Sequence, residues 1–131
     1  MTISRIRPGV FFSPRSELPR GRHALDRDEV QEVQRERLMV AFTELVADRG
    51  LPAVSITDIV AHAGVSRAAF YAYLGDLGAC GEAAYERFIS VLLGRLGQEM
   101  DPTAHWQDFV ELAIRAYLEA LQADVVVARA L

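Results

Sequence analysis

A short stretch near the middle of the chain, residues 66–73, carries side chains suited to contact with nucleic acid. The guanidinium group of Arg67 can reach guanine or a phosphate, and alanine methyl groups can contact the methyl group of thymine. The hydroxyl group of Tyr71 suits a phosphate oxygen. The predicted DNA contacts are Ser66, Arg67, Ala68, Ala69, Tyr71 and Tyr73, with Ser55 and Thr57 shortly before them. The alternative interpretation is a helical hairpin packed in a core, with Arg67 merely solvated.

Two short helices joined by a tight turn would position these side chains. Ser55 is a good N-cap, and Asp58 three residues later can complete a capping box. Gly64 can adopt positive φ and end the first helix. Ser66 can cap a second helix whose inward residues are Phe70 and either Tyr73 or Leu74. The pattern predicts a helix-turn-helix, in which the second helix enters the major groove of DNA.

The same residues carry a family resemblance. Segments 53–60, 64–67 and 70–74 resemble the DNA-binding domain of TetR-type transcriptional regulators, and the preceding helix over 34–50 is similar as well. The resemblance covers roughly residues 25 to 90. It implies an all-helical homodimer whose larger C-terminal domain binds a small ligand and releases DNA. One departure is clear, since Leu77 and Gly78 occupy the positions where such proteins usually place a lysine and a glutamate. The phosphate contact that the lysine would make is therefore missing, and the first turn of the fourth helix is weakened.

Composition sets further bounds on the function. The chain has 131 residues and a formal net charge of −4, which by itself argues against a nucleic-acid partner. Residues 1–25, however, hold five arginines and one acid, so they carry +4 and the remainder carries −8. No apolar run is long enough to span a membrane and no signal peptide is evident, so we predict a cytoplasmic protein.

The sequence predicts no metal site and no cofactor. Cys80 is the only cysteine, and it is interpreted as a packed small hydrophobe, with a redox-sensing thiol as the alternative. The three histidines lack the spacing of a metal site. The sequence contains neither a glycine-rich phosphate loop nor a nucleophile elbow, so an enzyme is not predicted.

The first 24 residues lack helical periodicity and contain several prolines and glycines, which predicts a flexible basic arm. Within it, Arg20 and Arg22 flank Gly21. This Arg-Gly-Arg core resembles an AT-hook, which would insert both arginines into a narrow minor groove. The alternative is a solvated basic linker.

Amphipathic periodicity predicts helices before and after the hairpin. The first runs from about Asp26 or Asp28 to Gly50, the fourth follows Asp76, the fifth follows Asp101, and a last one begins near Asp124. Resemblance to the family implies that aromatic residues of the fifth helix can line a ligand pocket, although helical spacing alone indicates plain core. These residues are Trp106, Phe109 and Tyr117.

The predicted fold class is therefore all-α, in three parts. Residues 1–24 form the arm, residues 25–75 the helix-turn-helix domain, and residues 76–131 the start of an α-helical ligand-binding and dimerisation domain that is expected to be incomplete. The predicted function is that of a sequence-specific, DNA-binding transcriptional regulator, which in its complete form is a ligand-responsive repressor. The predicted partners are double-stranded DNA, a small-molecule effector and, in the complete protein, a second copy of the chain. The alternative is a helical module that binds protein and uses the hairpin only for packing.

Overall fold

The computed structural model describes residues 2–14 and 27–131. The described part contains six α-helices and no β-strand, so the predicted all-α class is confirmed. A single 3-10 turn at Leu51–Ala53 follows the first helix. The α-helices are α1 (Arg27–Arg49), α2 (Ile56–Ala63), α3 (Arg67–Tyr73), α4 (Leu77–Glu99), α5 (Trp106–Ala123) and α6 (Val125–Ala130).

Helix α1 is the central element. Eight consecutive residues from Leu38 to Leu45 are buried, which requires neighbours on every side of the helix. Those neighbours are α2, α3, α4 and α6. Phe42 and Leu45 of α1 therefore lie in the same hydrophobic cluster as Ile59 of α2 and Phe70 of α3.

Residues 2–14 form a non-helical segment with a turn at residues 8–10, here called the N-terminal strap, that packs onto this core. Ile6, Phe11 and Phe12 are buried, and the ring of Phe11 stacks on that of Phe88 in α4 with centroids 5.0 Å apart. The prediction of a flexible arm is therefore wrong for this segment. A non-helical segment carries no periodic hydrophobic pattern, so the sequence alone does not identify Phe11 and Phe12, which lie near prolines and a glycine, as core residues.

Helix α4 begins at Leu77 and continues unbroken to Glu99 despite its early glycines. The carboxylate of Asp76 caps it by accepting a hydrogen bond of 2.7 Å from the backbone N–H of Ala79. Gly81 has a packing role, because a Cβ atom placed there would lie 3.2 Å from Cζ of Phe42. Cys80 is fully buried, and burial raises the pKa of its thiol to about 12. The thiol is therefore protonated at neutral pH, which favours a packing role over a redox-sensing one.

Helix α5 buries a different face from the predicted one. Its buried residues are Ala116 and Ala120, and the helix contacts α4 and α6. Small side chains allow helices to approach closely, so the two alanines occupy the contact, with Leu121 half-buried beside it, and the aromatic side chains point outward. Trp106, Phe109 and Tyr117 are 67%, 38% and 48% exposed, and the interpretation of these aromatic residues as plain core is wrong. Their predicted contact with a ligand stays a prediction.

Candidate nucleic-acid interface

The start of α2 is fixed by the predicted capping box. The hydroxyl oxygen of Ser55 accepts a hydrogen bond of 3.1 Å from the backbone N–H of Asp58. In return, the Asp58 carboxylate accepts hydrogen bonds from both the backbone N–H and the hydroxyl group of Ser55. These bonds lower the pKa of Asp58, and the guanidinium group of Arg49 at 3.6 Å acts in the same direction. Ser55 therefore fixes the helix start in this structure, while its predicted DNA contact stays a prediction.

The turn and the second cap also follow the sequence pattern. Gly64 adopts φ of 69° in the left-handed region, and its N–H donates to the carbonyl oxygen of Val60 at 3.0 Å. The hydroxyl oxygen of Ser66 then accepts a hydrogen bond of 3.1 Å from the N–H of Ala69, which starts α3. An L-residue at position 64 would adopt this backbone conformation only with strain.

The inward face of α3 is held by two side chains. Phe70 is fully buried, and Leu74 is 8% exposed. Of the two alternatives for the second inward residue, Leu74 is the buried one, and Tyr73 is only half-buried. Because α3 contacts both α1 and α2, these two side chains fix the direction in which its opposite face points.

That opposite face presents most of the predicted DNA-contacting side chains to solvent. Arg67, Ala68, Tyr71 and the adjacent Ala72 are exposed, whereas Ala69 is half-buried. The ring of Tyr71 meets that of Phe70 edge-on, with centroids 5.8 Å apart, so a buried neighbour orients an exposed hydroxyl-bearing ring. The exposed surface of α3 therefore consists largely of short alanine side chains, beyond which the longer side chains of Arg67 and Tyr71 extend into solvent.

Arg67 and Thr57 are brought together across the hairpin. The Nη2 atom of Arg67 donates a hydrogen bond to Oγ1 of Thr57 near the start of α2. An arginine has five N–H donors, so this bond leaves others for a base or a phosphate. The hairpin also lacks acids between Asp58 and Asp76, although the chain as a whole is net acidic. The outer face of α3 and the turn before it therefore carry no carboxylate that would repel a polyanion.

Arg20 and Arg22 lie outside the described residues, and their predicted minor-groove contact stays a prediction. Trp106, Phe109 and Tyr117 all lie on α5, remote in sequence from the hairpin. In the part of the chain that the structure describes, no helix is long and apolar enough to cross a membrane.

The sequence does not predict one group of interacting polar residues, in which Glu44 of α1 contacts α2 and the strap. Glu44 of α1 is 2% exposed, and its Oε1 atom lies 2.9 Å from Nε2 of His62 in the last turn of α2. Its Oε2 atom accepts a hydrogen bond of 2.8 Å from the backbone N–H of Ile6 in the strap. The available signal was an acid inside an apolar helical run, since Glu44 sits between Phe42 and Leu45. An acid there needs buried partners, but the sequence does not say which.

Comparison with known proteins agrees with this geometry. The sequence profile described as bacterial regulatory proteins, tetR family, matches residues 38–76, which include the buried half of α1, both hairpin helices and the N-cap of α4. Residues 38–76 are thus similar to the DNA-binding domain of that family of bacterial regulators, in agreement with the helix-turn-helix formed by α2 and α3. A search of curated proteins found no match.

A solved structure shows the same fold. The chain is similar to a TetR-family transcriptional regulator from Haemophilus influenzae, with a TM-score of 0.65 and 19% sequence identity. The alignment covers 77% of this chain and 55% of the other, so this chain spans about half the length of that regulator. At this identity the likeness establishes the fold alone.

Proposed function

We propose that the protein is a sequence-specific regulator of transcription that binds double-stranded DNA through α3. The observation that carries the proposal is the exposed outer face of α3. This face contains no acidic residue, and its long side chains, Arg67 and Tyr71, lie among short alanines. Such a face fits the major groove, where base edges present a distinct pattern for each base pair. Ser66 and Thr57 lie beside it at the ends of the two helices, in positions to contact phosphate.

The finer assignment is a cytoplasmic, ligand-responsive repressor that acts as a homodimer. Support comes from the TetR-type domain, whose family resemblance implies a dimer and a small-molecule effector. Two hairpins about 34–36 Å apart would contact successive turns of one face of DNA. Arg20 and Arg22 would reach the adjacent minor groove, and the aromatic residues Trp106, Phe109 and Tyr117 would contact the effector.

A protein-binding module is the second candidate. It is favoured by the exposed apolar side chains of α5, which include Trp106, Ile114 and Leu118. This candidate predicts no salt-dependent affinity for duplex DNA, whereas phosphate contacts make DNA affinity fall steeply with salt.

Substitutions on α3 test the proposal. We expect Arg67→Ala to weaken binding to a duplex selected by the wild-type chain by about 1–3 kcal/mol, and to relax base preference, because a base-edge contact is lost. Tyr71→Phe should weaken binding to all duplexes alike, because a phosphate contact carries no sequence information. Affinities are measured by fluorescence anisotropy over a series of salt concentrations.

The matched control is Arg115→Ala. Arg115 is an exposed arginine of α5 whose Nη2 atom lies 2.8 Å from Oε1 of Glu111, so this variant changes net charge equally without touching the hairpin. If Arg67→Ala matches Arg115→Ala in both its affinity for duplex DNA and its base preference, α3 is not the helix that contacts the bases.

A further inference from the structure

We propose that Thr57 is a positioning residue for DNA recognition, whose hydroxyl group orients the guanidinium group of Arg67 so that one edge of it faces a guanine. The inference rests on the DNA-binding function proposed above. It deepens that function by naming what determines base preference at one position of the recognised sequence. This role differs from a phosphate contact by Thr57, which would carry no base information.

The hairpin depends on a single long cation for contact with DNA. From Leu51 to Gly75 the sequence contains one arginine, Arg67, no lysine, and one acid, Asp58. Arg67 is the first residue of α3, and it is exposed. An exposed arginine has many rotamers, and its charge reaches phosphates as well as base edges. The orientation of this side chain therefore decides whether it contributes base preference or only general affinity for DNA.

The hydroxyl group of Thr57 supplies such an orientation from the other helix of the hairpin. The Nη2 atom of Arg67 donates a hydrogen bond to Oγ1 of Thr57, ten positions earlier in the chain. A guanidinium group has five N–H donors in one plane, and the two on Nη2 belong to different edges of that plane. A single bond from Nη2 therefore leaves one complete edge with two donors. Paired donors of this kind match O6 and N7 of guanine in the major groove.

The acceptor of this hydrogen bond is held in place by its surroundings. Thr57 is the second residue of α2, and the capping box between Ser55 and Asp58 fixes the first turn of that helix. Two positions further on, Ile59 is fully buried. Threonine is β-branched, which restricts its χ1 rotamers. A flexible donor is thus bound to an acceptor on an anchored helix start.

The acceptor is also neutral, which suits a cation that binds a polyanion. A carboxylate beside Arg67 would offset the charge of the guanidinium group and repel phosphate, whereas a hydroxyl group orients the cation and leaves its charge intact. Asp58, the residue after Thr57, accepts hydrogen bonds from Ser55 and lies 3.6 Å from Nη1 of Arg49. The one acid of the hairpin therefore has its own partners, and Arg67 is bound by the neutral neighbour.

The test uses the full chain, the duplex selected by the wild type, and versions of that duplex in which one G·C pair at a time is replaced by A·T. Thr57→Val keeps the shape of the side chain and removes the hydroxyl group. We expect it to lower the preference for guanine by about 3- to 10-fold at the pair where Arg67→Ala lowers it, because Arg67 must then be ordered on binding. Thr57→Ser keeps the hydroxyl group and should largely retain the preference. Fluorescence anisotropy measures each affinity.

A double variant distinguishes positioning from an independent contact. If Thr57 acts through Arg67, adding Thr57→Val to Arg67→Ala causes no further loss of guanine preference. The control is Thr103→Val, the same change at an exposed threonine between α4 and α5 whose Oγ1 atom lies 2.7 Å from Oδ1 of Asp101. We expect this control to keep the wild-type preference.

Two results with these variants would overturn the proposal. One is a Thr57→Val chain that keeps the full guanine preference. The other is a Thr57→Val chain that binds every duplex more weakly by the same factor, since a uniform loss identifies a phosphate contact instead.

A measurement without DNA keeps failure of this proposal distinct from failure of DNA binding, in which case the wild-type chain would bind no duplex. Three-bond NMR couplings report the rotamers of the Arg67 side chain. We expect one dominant rotamer in the wild type, in Thr57→Ser and in Thr103→Val, and averaging over several rotamers in Thr57→Val. If the couplings of Arg67 show the same averaging in the wild type and in Thr57→Val, Thr57 does not orient this arginine.

Discussion

Phe12→Ala is expected to lower the free energy of unfolding by about 3–5 kcal/mol, as truncation of a fully buried phenylalanine does. The residue is 1% exposed, and the guanidinium group of Arg87 covers its ring. Urea unfolding followed by circular dichroism measures the change. A loss this large would show that the strap is part of the hydrophobic core.

Ser13→Ala is the matched control for Phe12→Ala. Ser13 is the next residue of the strap, its side chain is exposed, and the variant keeps the backbone N–H that donates to Glu36. We expect its stability within about 0.5 kcal/mol of the wild type. If Phe12→Ala costs no more than Ser13→Ala, the strap does not pack on the core in solution.

Substitution of two adjacent residues of α3, Phe70 and Tyr71, should distinguish an effect on folding stability from an effect on DNA binding. Phe70→Ala removes a fully buried side chain that anchors α3, so we expect a loss of about 3–5 kcal/mol in unfolding free energy, with DNA binding weakened as α3 loses its support. Tyr71→Ala removes an exposed neighbour, so stability should change by less than about 1 kcal/mol while DNA binding still falls.

Urea unfolding and duplex titration on the same two variants provide the comparison. If Tyr71 contacts DNA, Tyr71→Ala loses affinity for the duplex at nearly unchanged stability. If both variants lose stability equally, Tyr71 has a structural role. If Tyr71→Ala keeps its full affinity for duplex DNA, the exposed face of α3 is not the contact surface.

The hairpin could be predicted from sequence because its determinants are local. Ser55 and Asp58 are three residues apart, and Gly64 and Ser66 flank a single turn, so each signal lies within one or two helical turns of the residue that it positions. The structure confirms both caps and the left-handed glycine. The choice between Tyr73 and Leu74 required tertiary packing, because both positions face partly toward α1 and α2.

The strap and its carboxylates could not be predicted because their partners are distant in the chain. The backbone N–H of Ile6 donates to Glu44, 38 positions away, and that of Arg7 donates to Asp124, 117 positions away. No local pattern encodes such pairs. The buried face of α5 cannot be predicted for a related reason. Hydrophobicity ranks Trp106 above Ala116 as a core residue, whereas the contact between helices is made by the smaller residue.

The strap also changes how the basic N-terminal region should be studied. Deleting residues 1–23 would remove Arg20 and Arg22 together with the buried Ile6, Phe11 and Phe12, so a change in DNA affinity would mix electrostatics with loss of core. Point substitution of the two arginines leaves the packed strap residues in place. That substitution is therefore the appropriate way to examine the predicted minor-groove contact.

Methylation interference on a selected, guanine-containing duplex tests the central claim most directly, namely that α3 reads the major groove. Dimethyl sulfate modifies N7 of guanine, which lies in the major groove, and N3 of adenine, which lies in the minor groove. We expect that methylation of guanine N7 within the recognised sequence blocks binding by the wild-type chain, and that Arg67→Ala abolishes the interference at one or more of those guanines. Binding that tolerates methylation at every guanine N7 would contradict the placement of α3 in the major groove.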